Sequence, residues 1–194
     1  MFKQLLAGPG KPLRRALIGL AAAATVLLAA TPAHADVVPI PGDGYIIALV
    51  GTGRCLDVTN AGTTDRTPIQ VWGCSGAWNQ QWIFEPYGVI AGRQSYRLHA
   101  RHAQNECLDV PNGAHGGNVQ LQIWSCNVNW QQRFWLKDTN DGSTHAFIEP
   151  AYSDPNMPWC VTVGPEPANG DPAYLTLCVP FLPLNQPWQI IQSG

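Results

Sequence analysis

Apolar and polar positions alternate with a period of two in short bursts along most of the chain. Leu56/Val58, Ile69/Val71, Leu108/Val110, Leu121/Ile123 and Val161/Val163 each bracket a single residue, the signature of a strand with one face on a core. Turn-forming clusters separate the bursts: Asn60-Ala61-Gly62, Pro111-Asn112-Gly113, Gly116-Gly117-Asn118 and Asn140-Asp141-Gly142. Asparagine and glycine tolerate the left-handed backbone that tight turns demand. No segment after residue 35 sustains a helical stripe. The pattern predicts an all-β domain of many brief strands.

The bursts also recur. Cys55-Leu56-Asp57-Val58 returns as Cys107-Leu108-Asp109-Val110 and, degraded, as Cys160-Val161-Thr162-Val163, at offsets of 52 and 53 residues. A second cysteine follows 19 residues on (Cys74, Cys126) or 18 residues on (Cys178). Before it stand Ile69-Gln70-Val71-Trp72, Leu121-Gln122-Ile123-Trp124 and Tyr174-Leu175-Thr176-Leu177. After it come Asn79-Gln80-Gln81-Trp82, Gln131-Gln132-Arg133-Phe134 and Asn185-Gln186-Pro187-Trp188. Three landmarks in one order, three times, define repeats at about 45–92, 93–145 and 146–194. Each is expected to hold about four short strands, with at most one helical turn beside its Gln-x-aromatic segment. If every repeat closes its own pair, the disulfides are Cys55–Cys74, Cys107–Cys126 and Cys160–Cys178. Each closed loop is worth about 3 kcal/mol in the chain-entropy account.

Charge and composition bound the setting. Lys3, Lys11, Arg14 and Arg15 precede an apolar run over residues 16–30, and Ala33-His34-Ala35 supplies a small-x-small cleavage pattern. Residues 1–35 therefore read as a cleaved secretory signal peptide, leaving 36–194 as one secreted, extracellular domain. Without that segment, seven Lys and Arg remain against 13 Asp and Glu, a net charge of −6. No basic patch is left to attract phosphate, which excludes nucleic acid, and no second apolar stretch reaches membrane length. An even cysteine count in an exported domain reads as disulfides. With no CxxC and no histidine at ligand spacing, no metal or other cofactor is expected.

Alternation then separates the faces. With Leu56 and Val58 directed inward, Asp57 must point out; with Ile69 and Val71 inward, Gln70 and Trp72 share the outer face. Asp109, Gln122 and Trp124 follow suit in the second repeat. An outward indole beside an amide and a carboxylate suits a sugar: the C–H face of a pyranose lies on the ring while its hydroxyls bond the polar groups. The competing reading packs both indoles under neighbouring loops, with the aspartates bonded to backbone turns.

These residues resemble the ricin B-type lectin family, whose β-trefoil carries a Gln-x-Trp signature in each of three lobes. Here the signatures are Gln80-Gln81-Trp82, Gln132-Arg133-Phe134 and Gln186-Pro187-Trp188. The resemblance implies a β-trefoil of three pseudo-symmetric four-stranded repeats, its six-stranded barrel closed by three hairpins. It implies carbohydrate binding by Asp57, Gln70, Trp72, Asn79 and Gln80 in the first repeat. In the second it implies Asp109, Gln122, Trp124 and Gln132, with Gln131 where the family has asparagine. Thr162 and Thr176 replace the carboxylate and the ring in the third repeat, so that site is expected to be lost. Trp82, Phe134 and Trp188 persist even there, which fits a core role. Trp78 and Trp130 are left between walling the sugar cleft and covering a disulfide, and Trp135 and Trp159 are read as packing.

Catalysis finds no footing in the residues. Asp57 and Asp109 lie at equivalent places in different repeats, whereas glycosidase carboxylates flank one bond about 5 to 9.5 Å apart. His99 and His102 read as loop residues, and no serine has a nucleophile's context. Expected partners are galactoside or xylan-type glycans, on a cell surface or beside a separate glycoside hydrolase. The alternative is a protein-binding or protease-inhibitor domain acting through a projecting loop at residues 97–105 or 165–172.

Overall fold

The computed structural model describes residues 38–139, 141, 143–178 and 186–193. The segment read as a signal peptide, Asn140, Gly142 and Asn185 lie outside the described residues. The first repeat supplies strands β1 (Gly44–Leu49), β2 (Arg54–Val58), β3 (Ile69–Gly73) and β4 (Gln81–Ile90). The second supplies β5 (Arg93–Ala100), β6 (Ala103–Asp109), β7 (Val119–Gln120), β8 (Gln122–Ser125) and β9 (Phe134–Asp138). The third supplies β10 (His145–Pro150), β11 (Trp159–Thr162), β12 (Tyr174–Leu177) and β13 (Trp188–Gln192). Single 3₁₀ turns at Trp78–Gln80 and Trp130–Gln132 precede two of the Gln-x-aromatic segments' strands, as their sequence predicts.

Antiparallel pairing closes six of these strands into a ring: β1 with β4, β4 with β5, β5 with β9, β9 with β10, β10 with β13, and β13 with β1. The pairs β2–β3, β6–β8 and β11–β12 form the three hairpins. This is a β-trefoil, and each repeat closes its own disulfide, with Cα–Cα distances of 5.0 Å in all three.

The alternating apolar positions fill one core. Leu56, Val58, Ile69, Val71, Leu108, Val110, Leu121, Ile123 and Val161 are all fully buried, each such side chain contributing about 1.5–3 kcal/mol of burial. Trp82, Phe134 and Trp188 are fully buried too, as their persistence predicts. Trp82 donates its indole N–H to Leu56 O at 3.2 Å, and Trp188 donates to Val161 O at 2.9 Å. Each ring thereby ties its barrel strand to the residue after the first cysteine. Where the repeats meet, Ile69 N donates to Leu121 O (2.9 Å), Leu121 N to Ala173 O (2.9 Å) and Ala173 N to Ile69 O (3.1 Å). This three-membered ring of backbone bonds joins the hairpins of all three repeats.

Candidate functional site

The hairpin β2–β3 sets Asp57 opposite Gln70 and Cys55 opposite Trp72. Opposed residues in an antiparallel pair share a face, so carboxylate, amide and indole gather on the side away from Leu56 and Val58. That face is not simply open: Asp57 is 3% exposed and Asp109 1%, against 45% for Trp72. The expectation of outward, solvent-facing aspartates is thus corrected. Alternation chooses the face, while the 3₁₀ turn that follows the hairpin covers it.

Three amides converge on Asp57. Gln70 donates to Oδ1 at 2.9 Å, and Asn79 and Gln80 donate to Oδ2 at 2.8 and 3.1 Å. Asn79 also donates to Val58 O, and Gln80 to Gly73 O. The Gln80 oxygen accepts from Ser75 N at 2.8 Å. With both ends of its amide engaged, Gln80 positions the carboxylate. A shallow hollow of about 280 Å³ opens over this network, bounded by Asn60, Ala61, Ser75 and the Trp72 ring. Burial pushes the Asp57 carboxyl up, and the donors from Gln70, Gln80 and Asn79 pull it back.

The second repeat repeats the geometry with one donor fewer. Asp109 opposes Gln122 and Cys107 opposes Trp124. Gln122 donates to Asp109 Oδ2 at 3.0 Å and Gln132 to Oδ1 at 3.3 Å. Among the described residues no hydrogen bond joins the Gln131 side chain to Asp109, where Asn79 serves Asp57. Burial pushes the Asp109 carboxyl up to about 6, with Gln122 and Gln132 opposing it and the nearby Asp65 charge adding to it. The Arg66 guanidinium lies over the Trp124 ring, 5.5 Å from its centroid. Trp130 stacks edge-on to Tyr152, with ring centroids 4.1 Å apart, beside His115 and against the turn at Gly113. Trp130 is 41% exposed and its counterpart Trp78 66%; Trp78 lies under the Arg101 guanidinium instead of against a tyrosine, so the two indoles differ in their packing.

The third repeat keeps the register, Thr162 opposite Tyr174 and Cys160 opposite Thr176, without the carboxylate or the ring. Gln186 donates to Thr176 Oγ1 and to Leu177 O. Gln80, Gln132 and Gln186 all donate to the carbonyl just before the second cysteine, at 3.0, 3.2 and 2.6 Å. Their recurrence in the repeat that has neither the carboxylate nor the ring marks this contact as part of the fold. Trp135 packs beneath Arg93, and Trp159 lies against the core.

Each hairpin is flanked by a loop from another repeat, which local sequence reading did not anticipate. Gly170 N donates to Val71 O and Val71 N to Asp171 O, both at 2.9 Å, so the third repeat leans on β3 beside Trp72. The first repeat leans likewise on β8, where Asp65 accepts from Ser125 N at 2.6 Å. The signal was present as the equal spacing of Arg66, Asn118 and Gly170.

Other candidates resolve structurally. His99 lies in β5, not in a loop, because its backbone pairs with Ile83 of β4 and Cys107 of β6, and its ring is held by Glu85 Oε2 (2.9 Å) and Gln104 O (2.8 Å). It also approaches Cys126 Sγ at 3.4 Å, but that sulfur is bonded to Cys107 and offers no thiolate. Residues 97–105 belong mostly to β5 and β6 rather than to a projecting loop.

The sequence model of the ricin-type β-trefoil lectin domain-like family matches residues 36–118 and 78–174. The ribosome-inactivating protein PMRIPt of Polygonatum multiflorum is 33% identical over 76 residues, which cover 39% of this chain and 10% of that protein. This chain thus corresponds to a small part of that relative's length. The designed three-fold symmetric protein ThreeFoil superposes with a TM-score of 0.64 at 25% identity, over 77% of this chain and 99% of its own. The β-trefoil lectin of the Vibrio vulnificus hemolysin/cytolysin, solved with N-acetyl-D-lactosamine bound, superposes with a TM-score of 0.55 at 18% identity, over 78% of this chain and 96% of its own.

Proposed function

The chain belongs to the ricin-type β-trefoil lectin domain family, and we propose that it binds carbohydrate without altering it chemically. The observation that carries this reading is the first-repeat hollow: a carboxylate fixed by three amides, set beside a half-exposed indole. Fixed acceptors suit vicinal hydroxyls, and a flat apolar ring suits the C–H face of a sugar. Asp57 holds the acceptor role, Trp72 the platform, Gln70 and Asn79 the flank. Asp109, Trp124 and Gln122 form a second site, with Gln131 at its edge and Gln132 beneath it. The third repeat serves the barrel.

Asp57 is the one carboxylate among the residues that bound the first hollow. Glycoside hydrolysis calls for two across a bond, which supports binding over catalysis. Galactosides and xylan-type glycans are the ligand classes we favour; the N-acetyl-D-lactosamine bound to the Vibrio vulnificus domain supports testing galactosides first. Three formed disulfides support export to an oxidising compartment, with residues 1–35 as the cleaved signal. Among the described residues no helix is long and apolar enough to cross a membrane. Cell-surface glycans or the substrate of a separate glycoside hydrolase are the proposed partners. The inhibitor reading gains less support, because residues 169–171 are pinned along β3 by Gly73, Val71 and their backbone bonds.

Ligand-observed NMR with galactose, lactose and soluble xylan tests the proposal. Weak, saturable binding is expected; silence to all three and to a broad glycan array would refute it.

A further inference from the structure

One loop position distinguishes the two sugar sites. Arg66, Asn118 and Gly170 occupy it in the three repeats, all with left-handed backbone (φ 69°, 64° and 91°). Each uses its N–H to lean on the next repeat: Arg66 donates to Ile123 O at 2.9 Å, Asn118 to Leu175 O at 2.8 Å and Gly170 to Val71 O at 2.9 Å. A side chain grown from Gly170 would meet the Trp72 ring at 3.8 Å and the Gln70 amide oxygen at 4.0 Å. The position therefore opens onto the binding face, between platform and flanking amide. Glycine leaves it empty in the first site. In the second it is filled, and the guanidinium rests on the Trp124 ring.

Left-handed backbone disfavours arginine, whereas glycine and asparagine accept it readily. The backbone bond does not need arginine, since Asn118 and Gly170 make the same one. Asp65 fixes the loop by accepting from both Ser125 N and Ser125 Oγ (2.6 and 2.8 Å).

We propose that Arg66 gates the second site and weakens it relative to the first: it covers the Trp124 platform in the free protein, and a sugar must displace it to stack. This rests on the carbohydrate-binding reading. Arg66 acts as a cover rather than a receptor for acidic sugars, because Asp65, Glu106 and Asp109 crowd the same edge. Glu106 opposes Ser125, and its carboxyl is pushed up by burial and then by Asp65.

The test is ¹H–¹⁵N NMR of the protein titrated with lactose and with soluble xylan. It follows the indole N–H signals of Trp72 and Trp124, assigned with Trp72→Phe and Trp124→Phe. Trp124 is expected to respond at higher sugar concentration than Trp72. Arg66→Gly and Arg66→Asn, both suited to left-handed backbone, should tighten the Trp124 response about two- to five-fold, the range an exposed cation–π contact supports. An unchanged or weaker Trp124 response in both variants, while Trp72 still responds, overturns the role of Arg66 and leaves the lectin reading standing. Silence at both indoles with both sugars overturns the two together.

Discussion

Gln131→Asn tests how the second carboxylate is tuned. In the first repeat Asn79 donates to Asp57 Oδ2 at 2.8 Å; asparagine at 131 places the same amide beside Asp109. Asp109 titrates near 6 instead of its ordinary 3.8, which amounts to roughly 3 kcal/mol against the ionised form. The folded-state value is raised, so the native state keeps a proton that the unfolded chain releases. The penalty is absent below 3.8, grows as pH rises, and is complete above about 6. One charge-assisted hydrogen bond offsets about 1.5 kcal/mol of it, or about one pH unit. The Asp109 carboxyl ¹³C midpoint should therefore fall by about one unit. Urea unfolding should show a gain of about 1.5 kcal/mol at pH 7.5 that is gone by about pH 3. A midpoint that stays near 6, or an equal gain at both pH values, would refute the account.

Four further outcomes are expected. Trp72→Ala and Trp124→Ala should each remove the sugar response of their own repeat while the far-UV circular dichroism stays native; near-native affinity in the double mutant would sink the site assignment. Lowering pH from neutrality should weaken sugar binding at Trp124 with a midpoint near 6, as Asp109 loses its charge; a flat indole titration down to acid pH would contradict this. Gln80→Ala should cost about 2 kcal/mol by removing one of three donors to Asp57 and the partners of Ser75 N and Gly73 O, read as a lower urea midpoint. Replacing Cys160 and Cys178 with serine should cost about 3 kcal/mol. It should also weaken sugar binding at Trp72 more than at Trp124, because the loop beside Trp72 lies within that disulfide; an equal effect on both would argue against the cross-repeat wall.

The repeats made the fold and the three disulfides legible, since a pattern that recurs three times carries its own pairing. Face assignment was legible at Asp57 and Trp72 as well. The burial of Asp57 was not, because alternation says which way a side chain points and nothing of what lies above it. Asn79 and Gln80 come from beyond the hairpin and cover the carboxylate only when the 3₁₀ turn folds back. Arg66 and Gly170 were out of reach for a deeper reason. They belong to one repeat and act on the next, a neighbourhood created only when the barrel closes. His99 reads as a loop residue beside His102, yet Tyr96, Leu98 and Ala100 alternate around it and pairing with β4 and β6 makes it strand.

The ring of Ile69, Leu121 and Ala173 bears on how such a chain is divided and copied. Every repeat donates one bond to a second and accepts one from a third, so none is complete alone, and the covalent links between them add no member to the ring. A single repeat freed from the chain would expose one donor and one acceptor suited to two more of its kind. The architecture is thus that of a trimer whose protomers have been joined end to end. Duplicated units within it can specialise in ligand recognition, or abandon it, as long as each keeps its share of the ring.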